Sequence, residues 1–130
     1  MKVLVVDENP RIRDLVRLLL EEAGLEVTPA GCYAEAQKQL GARPFDVVVS
    51  ELQEGWEKQA EFARLVAGDS RPSLILHTAW PAVVRTPLDP VAGSRVVKRS
   101  DFSPLLDALR AVERRRRPRS SGRTVPRRGR

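Results

Sequence analysis

Residues 3–10 read Val-Leu-Val-Val-Asp-Glu-Asn-Pro, and the fold turns on them. A short unbroken apolar run rich in valine marks a strand buried on both faces, as parallel sheets require. Asn9 is a good helix N-cap, and Pro10 suits the first helical position, where its missing N–H costs nothing. Ile12, Leu15, Val16, Leu19 and Ala23 follow at spacings of three and four, and Gly24 supplies the stop. The stretch is a buried strand feeding directly into a helix, with Asp7 and Glu8 at the junction.

The same alternation continues along the chain. A weaker strand is expected over Leu25 to Ala30 and a helix from about Tyr33 to Leu40. Phe45 to Leu52, through Val47, Val48 and Val49, forms the second strong buried strand. A helix follows from about Trp56 to Ala67, with Phe62, Leu65 and Val66 inward, and then a strand over Leu74 to His77. Pro81, Pro87, Pro90 and Gly93 break any long helix over residues 80–93, so the fourth helix is degenerate. Arg95 to Val97 gives a short last strand, and Ser103-Pro104 opens a helix with Leu105, Leu106, Leu109 and Val112 on one face. Strands alternating with helices imply an α/β fold with right-handed crossovers. Five strands in this arrangement predict the flavodoxin-like doubly wound parallel sheet of order 2-1-3-4-5, with its site at the carboxyl ends of the strands.

The chain has 130 residues, enough for one domain with a real core. Its net charge of +6 is unevenly placed. Residues 1–113 carry 14 basic and 17 acidic groups, a net of −3, whereas residues 114–130 hold nine arginines and no acid. The expected organisation is therefore a mildly acidic domain over 1–113 and a disordered arginine-rich tail over 114–130. That tail carries enough charge for nucleic acid or an anionic surface, but has no aromatics for base stacking. Cys32 is alone, so no intramolecular disulfide forms. No stretch is apolar enough for a signal peptide or a transmembrane segment, and a cytoplasmic location is expected.

Charged and hydroxyl side chains fall where strands end. Asp7 and Glu8 follow the first strand and Glu51 the third, its neighbour in the sheet. Three converging carboxylates are a candidate, weak site for magnesium. Thr78 closes the fourth strand and Lys98 the fifth, at the same rim, where an ammonium offsets carboxylate repulsion. Glu51 reads as a structural partner of Lys98 ahead of a metal ligand. Thr78 has a hydroxyl that can satisfy backbone groups at the turn. His77 reads as a packing residue, Cys32 as an ordinary small residue, and Trp56 and Trp80 fit either packing or a partner surface.

Four of these segments together resemble the response-regulator receiver domain, of the CheY-like kind, over about residues 2–113. They are Val3-Leu-Val-Val-Asp7-Glu8-Asn9-Pro10 with Arg13, Phe45-Asp-Val-Val-Val-Ser-Glu51, His77-Thr78-Ala79 and Val96-Val97-Lys98. The resemblance implies that Asp7 and Glu8 match the metal-holding acidic pair. It further implies that Thr78 matches the switch hydroxyl, Lys98 the invariant lysine and Glu51 the phosphoacceptor aspartate. Several positions depart from the pattern. Glutamate is one methylene longer than aspartate, and phosphoryl transfer depends on close positioning. Leu52-Gln53-Glu54-Gly55 stands where Met-Pro is usual, Arg99 replaces a proline, and Arg95 occupies the place of the switch aromatic.

The resemblance therefore implies a pseudo-receiver: a stand-alone, non-enzymatic module of bacterial two-component signalling, acting by phosphorylation-independent contact with a signalling protein. Glu51 carries one charge against roughly −1.5 to −2 for a phosphoryl group, so the expectation is a domain fixed in one state with no required cofactor. Two other readings stay open, a nucleic-acid-associated protein working through its tail and a phosphorylatable receiver. The oligomeric state is open as well. No Ser/His/Asp set or glycine-rich phosphate loop supports a hydrolase.

Overall fold

The computed structural model describes residues 1–51, 55–67, 72–80, 85–98 and 101–116. Five strands, β1 (Lys2–Val6), β2 (Glu26–Ala30), β3 (Val47–Ser50), β4 (Ser73–Thr78) and β5 (Ser94–Val97), alternate with helices α1 (Pro10–Glu22), α2 (Tyr33–Ala42), α3 (Trp56–Val66) and α4 (Ser103–Arg116). All pairings are parallel, in the order β2-β1-β3-β4-β5. This is the doubly wound sheet that the sequence predicts.

The strands alternate their side chains between two cores. Leu4, Val6, Val48, Leu74 and Leu76 face α2 and α3, where they meet Tyr33, Ala36, Phe62 and Val66. Val3, Val5, Val47, Val49, Ile75 and Val96 face the other way, against Val16 and Leu20 of α1 and Leu105, Leu109 and Val112 of α4. Because both faces are covered, the central strands carry consecutive apolar residues through their middles instead of alternating, with polar residues confined to their ends. The edge strand β2 is half exposed. It tolerates Pro29 because a missing donor matters least at an edge.

α1 begins as its sequence predicts. The Asn9 side chain accepts the amides of Arg11 and Ile12 at 3.0 and 3.4 Å, with Pro10 at the first turn. Gly24 follows the helix at φ +92°, a backbone conformation open to glycine at little cost.

Between β4 and β5, among the described residues, a single 3-10 turn (Asp89–Val91) stands in place of a fourth crossover helix. Pro87 and Pro90 account for this. One boundary differs from expectation. α4 runs to Arg116, three residues past the predicted domain end at 113. Arginine is a good helix former, and cations in a last turn complement the helix dipole. Arg116 also reaches Asp46, at 3.4 Å. The rest of the arginine-rich segment, together with Leu52, Pro81 and Arg99, lies outside the described residues.

Candidate functional site

Register places the polar residues before any side-chain contact is considered. Val6 pairs with Ser50, and Ser50 with Leu76, so the residues one step further on, Asp7, Glu51 and His77, stand side by side at the carboxyl edge. Thr78 pairs with Val97, which puts Lys98 one step beyond the last pair. Asp7, Glu51, His77 and Lys98 share parity with Val5, Val49, Ile75 and Val96, and so belong to the α1/α4 side of the sheet.

The side chains meet there. Lys98 Nζ lies 2.7 Å from Asp7 Oδ2 and also contacts Glu51 Oε2. Asp7 and Glu51 are buried, and the Lys98 side chain is only 16% exposed. Burial works against the ammonium, yet hydrogen bonds to Asp7 and Glu51 outweigh it and hold the Lys98 pKa above its ordinary value. His77 sits beside this cluster, 5.9 Å from Phe102 between ring centroids. Burial, and then the Lys98 charge, lower its pKa from 6.5 to about 4, with Asp7 and Glu51 opposing, so it is neutral at pH 7.

The supporting contacts are equally specific. Asp7 Oδ1 accepts the Asn9 amide at 2.9 Å, and the Asp7 carbonyl accepts Arg13 Nη1 at 2.9 Å. Gly31 lets this strap pass: a Cβ there would stand 3.1 Å from Arg13 Nη1 and 2.9 Å from Glu35 Oε1. The Glu51 carbonyl accepts the Tyr33 hydroxyl at 3.1 Å and the Ser50 hydroxyl at 3.0 Å. Tyr33 itself stacks on Phe62, with centroids 4.6 Å apart. Its role was not legible in the sequence, where Tyr33 marks only the start of a helix.

Of the predicted site residues, Asp7, Glu51 and Lys98 are brought into contact. Glu8 is exposed on the next position of the loop. Thr78 is fully buried, and its hydroxyl accepts the Trp80 amide at 3.1 Å, which is the turn-capping role. Trp56 and Trp80 pack edge to face with centroids 6.5 Å apart and are 52% and 38% exposed, so they lie on the surface and not in the core.

Magnesium needs an octahedral shell of oxygens, commonly one or two of them carboxylates and several of them water. Among the described residues, no group of three His, Cys, Asp or Glu side chains is gathered to hold a metal. The Lys98 ammonium instead spans the two buried carboxylates, and in this arrangement the residues do not fit a divalent ion between them. The adjoining cleft, lined by Asp7, Glu8, Cys32, Tyr33 and Glu51, is shallow and open on one side, with an inner volume of about 10 Å³, room for one water.

No family model matches the chain. Solved structures do. The response regulator TrrA of Thermotoga maritima, in complex with Mg2+-BeF, is 26% identical with a TM-score of 0.73, covering 85% of this chain and 97% of that one. The chemotaxis response regulator CheY4 of Vibrio cholerae is 28% identical with a TM-score of 0.74, over the same shares. TrrA is also matched in its complex with the histidine kinase ThkA, at 27% identity and a TM-score of 0.72. A 14.6 kDa protein of Leptolyngbya boryana, in the sodA1 3′ region, is 34% identical over 80 residues. The match takes in 58% of this chain and spans 61% of that relative's length. With its sheet order, its rim and these neighbours, the chain has the fold of the CheY-like response-regulator receiver domains and is similar to them.

Proposed function

We propose that this receiver domain works without phosphorylation, as a protein-contact module in bacterial two-component signalling with its rim fixed in one state. One observation carries the reading: Lys98 is bonded to Asp7 and to Glu51 together. A phosphoacceptor needs its carboxylate free for in-line attack beside a metal ion. Here the acceptor position holds a longer carboxylate that is already paired with the lysine. The module carries out no catalysis and requires no cofactor. TrrA, which shares the fold, forms a complex with a histidine kinase, and a protein partner is the natural output for a domain with so small a cleft.

The test is intact mass after incubation with magnesium and a small-molecule phosphodonor, on wild type and Glu51→Asp side by side. The expected result is an unmodified wild type; phosphate on Glu51→Asp alone would show that only the acceptor is lost, and none on either that the metal site is lost with it. Phosphate on the wild type would overturn the reading.

A second property is favoured by a separate observation. Arg114, Arg115 and Arg116 are exposed on the last turn of α4, with no acid after Glu113 in the sequence. Such a cluster supports salt-sensitive association of residues 114–130 with nucleic acid or another anionic surface. A chain ending at 113 should lose that binding and keep its fold.

A further inference from the structure

The crossover between β4 and β5 is organised around one buried ion pair that the rim does not use. Arg95, on β5, is only 11% exposed, and the Asp89 side chain only 6%. Arg95 Nη1 donates to Asp89 Oδ1 at 2.9 Å, and Nη2 to the Trp80 carbonyl at 3.2 Å. Asp89 Oδ2 accepts the Thr86 amide at 2.6 Å, and the Thr86 hydroxyl accepts the Leu88 amide at 3.2 Å. Leu88 is fully buried in the α2/α3 core. One guanidinium thus ties three pieces of chain: the segment leaving β4, the 3-10 turn, and β5.

We propose that Arg95 is a positioning residue, a staple that holds Trp80 and the 3-10 turn at Asp89–Val91 in a single arrangement against β5 and displays the Trp80 side chain in a fixed place. The argument is electrostatic and geometric. A planar fork bonded at both ends cannot swing outward without abandoning both partners at once. Leaving would take the close partner from a carboxylate that is only 6% exposed, with the Thr86 amide and the more distant, exposed Arg85, 3.9 Å away, as its remaining contacts. Asp89 is held in its charged form: burial opposes this, but the Thr86 amide and hydroxyl and then Arg95 prevail, and its pKa lies below the ordinary value. Trp80 is fixed from both sides of its backbone, its amide by Thr78 and its carbonyl by Arg95. Its ring, edge to face with Trp56, is therefore presented in place without a switching event. The device involves none of Asp7, Glu51 or Lys98. Phosphate on Glu51 would sink the proposed function and leave the staple standing.

Hydrogen exchange by NMR on the full chain tests it, comparing wild type with Arg95→Met and Arg95→Lys. Both variants should speed exchange of the Thr86, Leu88 and Ala92 amides at least tenfold, with Val48 and Val49 unchanged. Lysine keeps the charge but lacks the fork, so it separates stapling from simple charge neutralisation and serves as the readout should the methionine variant fail to fold. Relaxation dispersion at the Trp80 and Leu88 amides should be flat in the wild type and appear in Arg95→Lys. Exchange in Arg95→Lys within twofold of wild type, or dispersion already present in the wild type, would overturn the proposal.

Discussion

Lys98 Nζ stands 2.7 Å from Asp7 Oδ2 although the two residues come from strands separated by two others in the sheet. The long lysine side chain crosses the ends of β3 and β4 and meets Glu51 on the way. Two buried carboxylates share one ammonium, so each depends on it. Replacing Lys98 by methionine should cost roughly 3 kcal/mol, the low end for breaking a buried pair because the lysine is not fully enclosed. The urea midpoint of Lys98→Met against wild type measures this. Adding Glu51→Gln should recover part of the loss, since one of the two stranded charges is then gone; an additive further loss would show that the pair is not coupled.

The raised pKa of Lys98 fixes the sign of an alkaline effect. A base whose folded pKa lies above its unfolded value of about 10.4 contributes fully below that pH. The contribution is lost as pH rises through the folded pKa. Wild type should therefore lose stability above about pH 10.4 more steeply than Lys98→Met, which lacks the group. Denaturant melts of both proteins between neutral and strongly alkaline pH show whether the two curves converge.

Magnesium should be a poor ligand for the wild type. A resident ion at a hundredfold excess over its Kd would add about 2.7 kcal/mol to stability. No comparable shift in Tm is expected with magnesium added to wild type, because the ammonium already spans Asp7 and Glu51. Lys98→Ala, which removes the ammonium between the two carboxylates, should gain a magnesium-dependent rise. A clear rise in the wild type would show that Lys98 yields its place readily.

Much of this rim could be read before the fold was seen, for a physical reason. Parallel strands buried on both faces are apolar through their middles, so Val3–Val6 and Val47–Val49 declare themselves, and the first charged residue after each marks the edge of the sheet. Asp7 and Glu51 follow from that rule, whereas Lys98 follows an edge strand that itself holds Arg95. Tyr33 and Asp89 do not follow from the rule. The Tyr33 hydroxyl finds a carbonyl 18 residues away, and Asp89 finds an arginine across a proline-broken turn. Such choices depend on where loops pass in space, which no periodicity records. The end of α4 is not marked in the sequence because an arginine run has no apolar stripe, yet arginine propagates a helix well once the preceding turns are anchored by Leu105, Leu109 and Val112.

Acid should weaken the fold through His77. Its folded pKa of about 4 lies below the ordinary 6.5. Between those values the unfolded chain binds a proton that the native state refuses, so stability falls as pH drops from 6.5 towards 4. The full shift corresponds to about 3 kcal/mol. His77→Phe, which keeps a ring against Phe102, should be markedly less acid-sensitive over this window. The imidazole resonances of the wild type should titrate near pH 4; a midpoint near 6.5 would mean that the ring reaches water.

Tyr33 tests whether the rim is held from beneath. Its hydroxyl is the long-range donor to the Glu51 carbonyl, while Ser50 supplies a local one. Tyr33→Phe keeps the stack on Phe62 and removes only the hydroxyl, so the loss should be about 1 kcal/mol, one net hydrogen bond. Tyr33→Ala also removes a buried ring and should cost more, about 3 kcal/mol or above. The difference between the two separates packing from anchoring. If Tyr33 positions the backbone of Glu51, Tyr33→Phe should also shift the Glu51 and Lys98 amide resonances. A stability loss with those resonances unmoved would assign Tyr33 to the core alone.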